Sequence, residues 1–223
     1  MTALIFDLDG TLVDTAPDLL GATNAVLAAQ GRAAIDPASL RHMVGFGARS
    51  LITQAMAATG APAPEQDMEA LVALFIAHYR DHIADFSRPF AGVEATLKRL
   101  KADGMRLGVL TNKPVELTHL LLARLGLAKD FDAVYGAGSR PYTKPDPRIF
   151  DDVVKDLYAE VGGGGPAVMI GDSITDLSTA RAANAPCILM TYGYTPVPVA
   201  ELGADLVLDD FAGLPGALEN LRR

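Results

Sequence analysis

The sequence predicts an α/β fold, in which a doubly wound, mainly parallel sheet carries an inserted α-helical cap domain. Three observations lead to this prediction. Short apolar segments recur along the chain, and helical patterns separate them from about residue 88 onward. Before that point, roughly seventy consecutive residues show helical patterns alone.

Six apolar segments are the predicted strands, at 3–6, 106–110, 133–135, 167–170, 187–190 and 206–208. Each is almost continuously apolar, which is typical of parallel strands covered by helices on both faces. Helical patterns at 94–103 and 115–125 alternate with them, and each ends at a glycine. This alternation is typical of βαβ units and predicts a Rossmann-like core.

The segment after the first strand has a different pattern. Its first helix is predicted to start at Thr15-Ala16-Pro17-Asp18 and to end at Gly31, and further helical patterns cover 40–45, 48–60 and 65–86. An insertion of this size is too long for a loop. We therefore expect a cap domain over 15–86, a core over 1–14 and 87–223, and linkers near 13–16 and 86–90.

Composition and charge limit the possible partners. Half of the 223 residues are hydrophobic, which excludes a disordered chain, and the formal charge of −8 disfavours nucleic acid as a partner. The only cysteine, Cys187, lies in an apolar segment and is expected to be buried. With no signal-like N-terminus and no apolar run near the ~18 residues that span a bilayer, we expect a cytoplasmic protein that does not bind membranes.

The first acidic motif, Asp7-Leu8-Asp9-Gly10-Thr11, directly follows the first strand. Residues i and i+2 of an extended chain point to the same side, roughly 6.5 Å apart, so Asp7 and Asp9 present two carboxylates to one point. Such a pair is costly without a positive group nearby. Gly10 allows a sharp turn, and Thr11 adds a hydroxyl and a backbone N–H. The simpler alternative is that the aspartates only cap a turn.

A second acidic motif, Gly171-Asp172-Ser173-Ile174-Thr175-Asp176, follows another predicted strand. Asp172 lies at the carboxyl edge of the sheet, and Asp176 follows one helical turn later. Carboxylates that converge in one crevice imply a hard divalent cation, and oxygen ligands suit Mg²⁺. The alternative is that this segment only caps a helix.

Two further strand ends carry complementary groups. Thr111-Asn112 supplies a hydroxyl and an amide, and Lys144-Pro145 supplies an ammonium. Taken singly, each is ordinary turn chemistry. Their order along the chain relative to the two acidic motifs is what supports a functional role for these two segments.

In this order the four motifs resemble those of the haloacid dehalogenase superfamily, whose members carry a helical cap after the first strand. The resemblance spans residues 7–176. Within the superfamily, the chain length and the segments 44–48 and 191–194 resemble the phosphoglycolate phosphatases. The second aspartate, Asp9, is absent from the dehalogenase branch, so its presence favours phosphate chemistry.

The resemblance implies a role for each matching residue. Asp7 is the nucleophile that forms an aspartyl-phosphate, and Asp9 is the acid and then the base. Asp7, the Asp9 carbonyl and Asp172 hold Mg²⁺. Thr111 and Lys144 complete the catalytic set, and Asp176 and Ser173 lie behind it, with Asp176 orienting Lys144 or a metal-bound water. The expected phosphate-binding residues are Gly10, Thr11 and Asn112.

The cap is expected to close over the crevice and to set specificity. We predict Arg49 as the residue that binds a substrate carboxylate, because a guanidinium binds this group in a bidentate manner. A solvated helix arginine is the alternative.

The leading hypothesis is therefore a Mg²⁺-dependent phosphomonoester hydrolase that acts on a small phosphorylated metabolite, with 2-phosphoglycolate as the first candidate. A β-phosphoglucomutase-like mutase or another sugar-phosphate phosphatase is the alternative within the same class. A phospho-accepting receiver-like module and a catalytically inactive binding protein are alternatives from other classes. We expect a monomer or a homodimer.

Overall fold

The computed structural model describes residues 2–221. Within this range the strands are β1 (Ala3–Phe6), β2 (Val13–Asp14), β3 (Arg88–Pro89), β4 (Arg106–Pro114), β5 (Ala133–Ala137), β6 (Ala167–Gly171), β7 (Cys187–Met190) and β8 (Leu206–Leu208). The α-helices are α1 (Ala16–Ala29), α2 (Pro37–Arg41), α3 (Ala48–Ala58), α4 (Glu65–Asp81), α5 (Val93–Ala102), α6 (Val115–Arg124), α7 (Pro147–Leu157), α8 (Ile174–Ala182) and α9 (Leu214–Leu221).

The main sheet has six parallel strands in the order β5-β4-β1-β6-β7-β8. Strand β1 lies between β4 and β6, and Phe6 is in register with Val109 and with Ile170. The chain builds the sheet outward from β1 in one direction and then, from β6, in the other. The carboxyl ends of β1, β4 and β6 therefore meet at the point where the strand order reverses, which is the usual ligand site of such sheets.

Alternate residues of β1 face two different hydrophobic clusters. Leu4 and Phe6 pack in the cluster that includes buried residues of α5, α6 and α9, whereas Ala3 and Ile5 pack in the cluster formed by α7 and α8. The strand is thus covered on both faces, as its continuous apolar sequence predicts. Cys187 is fully buried in the second cluster, and burial raises the pKa of its thiol, so it is a packing residue as expected.

Helices α1 to α4 follow one another between β2 and β3. Helices α2 and α4 pack on α1, and α3 packs mainly on α4. Their inward faces join the same cluster that contains Leu4 and Phe6. The predicted α/β fold with inserted helices is therefore confirmed. The division into a cap over 15–86 and a core over 1–14 and 87–223 stays a prediction.

The two ends of this helical segment are paired with each other. Val13 of β2 is in antiparallel register with Pro89 of β3, and Asp14 with Arg88. The sequence predicts only linkers here, because a two-residue strand carries no periodicity that a sequence pattern can show. The pairing places both crossings to the helical segment side by side.

The predicted bounds of two helices differ most from the structure. The helix expected at 40–45 is α2, which begins earlier because Asp36 accepts hydrogen bonds from the amides of Ala38 and Ser39. Helix α4 ends at Asp81 rather than at residue 86, where the chain turns and the amide of Phe86 donates to Asp18 instead. Among residues 2–221, no helix is long and apolar enough to cross a membrane.

Candidate active site

Three acidic side chains from two motifs converge at the carboxyl edge of the sheet. Asp7 directly follows β1, Asp172 directly follows β6, and Asp176 lies in the first turn of α8. Each offers a ligand atom, and these atoms all lie within 4.8 Å of one another. All three side chains are buried. The spatial convergence expected from the motif spacing is present.

Asp172 is held through both of its carboxylate oxygens. The Thr11 hydroxyl donates to Oδ1 at 2.8 Å, and the Tyr194 amide donates to Oδ2 at 2.8 Å. Two glycines pack against the same carboxylate: a Cβ on Gly10 would lie 2.6 Å from Oδ2, and one on Gly193 would lie 2.2 Å from the Asp172 Cβ. Gly10 also has φ +86°, which favours glycine. The predicted phosphate ligands Gly10 and Thr11 thus shape the Asp172 side of the site.

The two carboxylate oxygens of Asp176 have different partners: one caps α8, and the other contacts Lys144. Oδ2 accepts from the Asp172 amide at 3.2 Å and from the amide and hydroxyl of Ser173 at 3.1 and 2.7 Å, which forms the capping box of α8. Oδ1 lies 2.6 Å from Lys144 Nζ. Ser173 therefore fixes Asp176, and Asp176 fixes the lysine.

Lys144 lies between Asp7 and Asp176, with its Nζ 3.0 Å from Asp7 Oδ1. Asp7 Oδ1 also accepts from the Leu8 amide at 2.7 Å. Burial alone lowers the pKa of Lys144, but the carboxylates of Asp176 and Asp7 outweigh it and raise that pKa above its usual value. The ammonium is therefore charged at any physiological pH.

One ammonium does not neutralise three carboxylates. Burial raises the pKa of Asp7 to about 7, opposed by the charge of Lys144 and assisted by that of Asp176. Burial, together with Asp176 and Asp7, also raises the pKa of Asp172. Both shifts come first from burial and then from repulsion between the carboxylates, at a site whose candidate metal ligands are all oxygens. These residues fit a hard divalent cation, which would offset that charge.

Thr111 and Asn112 lie in β4 beside this cluster. The Thr111 side chain is buried, and its hydroxyl oxygen accepts from the Lys113 amide at 3.2 Å. The Asn112 amide nitrogen donates at 3.2 Å to the carbonyls of both Gly45 and Lys144. The two donors of the Asn112 side chain are thus engaged within the chain, so a phosphoryl contact through this side chain stays a prediction.

Comparison with known proteins agrees with this arrangement. The family model of the haloacid dehalogenase-like hydrolases matches residues 1–184, a range that contains all of the motif residues described above. The chain belongs to this hydrolase family. The predicted superfamily resemblance and the prediction of a hydrolase are therefore confirmed.

Individual relatives cover almost the whole hydrolase. A phosphoglycolate phosphatase of Caulobacter vibrioides is 47% identical over 215 residues, which are 96% of this chain and 89% of the relative. The crystal structure of a predicted phosphoglycolate phosphatase from Haemophilus somnus has a TM-score of 0.89 and 30% identity, covering 97% of both chains. That of CbbY from Rhodobacter sphaeroides in complex with phosphate has a TM-score of 0.76 and 25% identity, covering 95% of both chains.

The hydrolase has a second ion pair, with a buried lysine, that the sequence motifs do not predict. Lys113 Nζ lies 2.9 and 3.0 Å from the two carboxylate oxygens of Asp9, and only 3% of the Lys113 side chain is exposed. The position of Lys113 in the sequence does indicate that it lies near the site, because it directly follows Thr111-Asn112 at the end of a sheet strand. Asp9 is thus held by its own cation, separately from Asp7.

Tyr194 is a further site residue whose contacts the sequence does not predict. Its hydroxyl accepts from the amides of Thr15 and Ala16 at 2.8 and 3.0 Å and donates to Asp14 at 2.6 Å. Its own amide holds Asp172. One residue therefore connects the acidic cluster to the chain segment that enters α1.

The structure does not bring Arg49 into contact with the acidic cluster. Its guanidinium forms an ion pair with Glu65 and another, at 3.5 Å, with Glu69, and about half of its side chain is exposed. Its predicted role in binding a substrate carboxylate stays a prediction.

A cavity of about 40 Å³ lies between the strand ends and helices α1, α3 and α4. Asp7, Asp9, Asn112 and Lys113 line it on one side. The opposite side is formed by residues of the helical segment, of which Tyr79 is the one with a polar side chain. The cavity thus connects the acidic cluster with the inserted helices.

Proposed function

We propose that this hydrolase is a Mg²⁺-dependent phosphatase that converts 2-phosphoglycolate into glycolate and phosphate. The observation that carries the proposal is the contact of Asp7 with Lys144 inside a buried cluster of three carboxylates, with Asp9 two residues away. This combines a nucleophile, a cation and a separate acid at one strand end. Similarity to the phosphoglycolate phosphatase of Caulobacter vibrioides supports the choice of substrate.

In the first step, a carboxylate oxygen of Asp7 attacks phosphorus, and the bond between phosphorus and the ester oxygen breaks. Asp9 donates its proton to the leaving alkoxide, which departs as the alcohol. Lys144 balances the charge of Asp7 and of the phosphoryl oxygens. The product of this step is an aspartyl-phosphate on Asp7.

In the second step, Asp9, now a carboxylate, removes a proton from a water molecule, whose oxygen attacks phosphorus. The bond between phosphorus and the Asp7 oxygen breaks, which releases phosphate and restores the Asp7 carboxylate. Asp9 regains its proton in the same step, so the cycle closes. The buried position of Lys144 keeps its charge in place through both steps.

Asp7, Asp172 and the backbone carbonyl of Asp9 would hold the magnesium ion. When bound, Mg²⁺ supplies positive charge to the phosphoryl oxygens and offsets the repulsion among the carboxylates. We propose Mg²⁺ as the metal because all of the donor atoms are oxygens, and oxygen ligands favour Mg²⁺ over softer metal ions. Asp176 stays with Lys144 in this scheme, because its Oδ1 is paired with the ammonium and its Oδ2 caps α8, whereas the donors to Asp172 are neutral.

The test is a panel of about a dozen small phosphomonoesters, assayed for free phosphate with Mg²⁺ and after removal of metal by a chelator. We expect the highest kcat/KM for 2-phosphoglycolate and loss of turnover without Mg²⁺. The panel includes a pentulose bisphosphate, because CbbY from Rhodobacter sphaeroides was also crystallised with xylulose-1,5-bisphosphate. An isomerised sugar phosphate formed without free phosphate would instead establish the mutase alternative.

A further inference from the structure

Tyr79 carries a buried hydroxyl that no part of the proposed chemistry uses. The residue is only 1% exposed, and its hydroxyl has no hydrogen-bond partner among the residues that the structure describes. Buried tyrosine hydroxyls usually have a partner, because removing them from water without one is unfavourable. An unpartnered hydroxyl beside an active site therefore points to a ligand.

The ring of Tyr79 is held in place by its neighbours. It stacks on Phe75 with 5.8 Å between ring centroids and an interplanar angle of 9°. Lys113 Nζ lies 4.4 Å from the centroid of the Tyr79 ring. Because Lys113 also binds Asp9, Tyr79 of α4 lies next to the residue proposed as the acid. Tyr79 is thus held in a fixed position among the residues that line the cavity shared with Asp7.

The cavity offers donors and positive charge on this side. Burial, with smaller contributions from Asp9 and Asp18, raises the pKa of Tyr79 well above its usual value, so its hydroxyl keeps its proton. An ammonium has three N–H donors, and Lys113 directs two of them to the oxygens of Asp9. A hydroxyl donor beside an ammonium that bridges Asp9 and the Tyr79 ring is suited to an anionic group.

We propose that Tyr79 is a specificity-determining residue, whose hydroxyl donates a hydrogen bond to the carboxylate of the substrate while Lys113 supplies the facing positive charge. This inference rests on the proposed function. It places the carboxylate inside the cavity rather than at Arg49, whose guanidinium is engaged by Glu65 and Glu69.

The size of the cavity supports a short substrate. A volume of about 40 Å³ has room for roughly three water-sized groups. A methylene group that carries a carboxylate is of this size, whereas a sugar is larger. Apart from Tyr79, the side formed by the helical segment is apolar and includes Leu19, Leu51 and Phe75, so that side offers few partners for sugar hydroxyls.

The experiment compares 2-phosphoglycolate with ethyl phosphate, which has a methyl group in place of the carboxylate. Both are assayed with the Mg²⁺-loaded wild type and with Tyr79→Phe, and the preference is the ratio of the two kcat/KM values. We expect Tyr79→Phe to lower this preference about tenfold to a hundredfold, mostly through KM for 2-phosphoglycolate. Turnover of ethyl phosphate should stay within about twofold.

Matched variants separate the possible outcomes. Tyr158→Phe removes another buried hydroxyl, one that donates to the Pro166 carbonyl, and should keep the preference unchanged. If Arg49→Gln loses the preference and Tyr79→Phe keeps it, the carboxylate binds at Arg49 and our inference is wrong. If the wild type itself shows no preference for 2-phosphoglycolate, the proposed function fails instead.

Thermal unfolding provides an independent readout. Because the Tyr79 hydroxyl has no protein partner, Tyr79→Phe should unfold within about 2 °C of the wild type or at a higher temperature. A large decrease in Tm, or failure of the variant to fold, would show that the hydroxyl stabilises the chain itself and would overturn the assignment.

Discussion

Lys144 Nζ lies 2.6 Å from Asp176 Oδ1, and both side chains are almost completely buried. The two residues come from different parts of the chain: Lys144 precedes α7, and Asp176 lies in the first turn of α8. Since the other oxygen of Asp176 caps α8, the start of this helix fixes the lysine that contacts Asp7. The ammonium of Lys144 is therefore positioned by a helix cap.

We expect Lys144→Met to abolish phosphate release and to destabilise the metal-free protein by about 3–5 kcal/mol, because it leaves buried carboxylates without their counter-ion. Urea unfolding and a phosphate-release assay measure both effects. Lys155→Met, at an exposed position, is the matched control and should be neutral. Wild-type stability in Lys144→Met would show that the ion pair does not contribute to folding.

Asp7→Asn should lower kcat by at least about a thousandfold, because an amide oxygen is a poor nucleophile. The fold should persist, since the substitution keeps the shape of the side chain and removes one of three repelling charges. Circular dichroism and steady-state kinetics provide the two readouts. Substantial residual turnover would contradict a covalent intermediate on Asp7.

The metal-free protein should lose stability as the pH rises from about 4 to 7. Burial raises the folded-state pKa of Asp7 from its ordinary 3.8 to about 7, so in this window the folded chain binds more protons than the unfolded chain. The slope should be about 1.4 kcal/mol per pH unit for this one group, and Asp172 adds to it in the same direction.

Urea unfolding in a chelator at four pH values between 4.5 and 7.5 measures this slope. Asp7→Asn should flatten it, and Mg²⁺ should restore stability at the upper end. An identical slope in Asp7→Asn would assign the pH dependence to other groups.

Gly193→Ala should weaken metal binding, because the new Cβ would lie 2.2 Å from the Asp172 Cβ and must displace that side chain. We expect at least a tenfold increase in the Mg²⁺ concentration needed for half-maximal activity. Gly164→Ala is the control, since a Cβ there meets no atom within 4 Å. Equal Mg²⁺ dependence in both variants would show that Asp172 tolerates the displacement.

Tyr194→Phe should destabilise the protein by about 1–3 kcal/mol, because it removes the acceptor of the Thr15 and Ala16 amides and a donor to Asp14. Denaturant unfolding measures the loss. Tyr142→Phe, which removes a single hydrogen bond to Asp152, should lower the free energy of unfolding by less. Equal losses in the two variants would argue against a special role of the Tyr194 hydroxyl.

The sequence alone determined which strands form the sheet and which acids converge on its edge. Strands β1, β7 and β8 match their predicted bounds, since a buried parallel strand requires an unbroken apolar segment. Asp7 and Asp172 follow such segments directly, and parallel strands end at a common edge, so their convergence was predictable.

Only the tertiary structure decided which group pairs with which. The contacts of Lys113 with Asp9 and of Tyr194 with Asp14 join residues that are 104 and 180 positions apart, and no local pattern encodes them. The position of Tyr79 beside Asp7 and Asp9 at the cavity depends on packing in the same way. The same holds for Arg49, whose partners on α4 follow from how α3 packs against that helix. The hydrophobic periodicity of the sequence determines where helices and strands form. The packing of these helices and strands determines the distances between charged side chains, and therefore which of them form pairs.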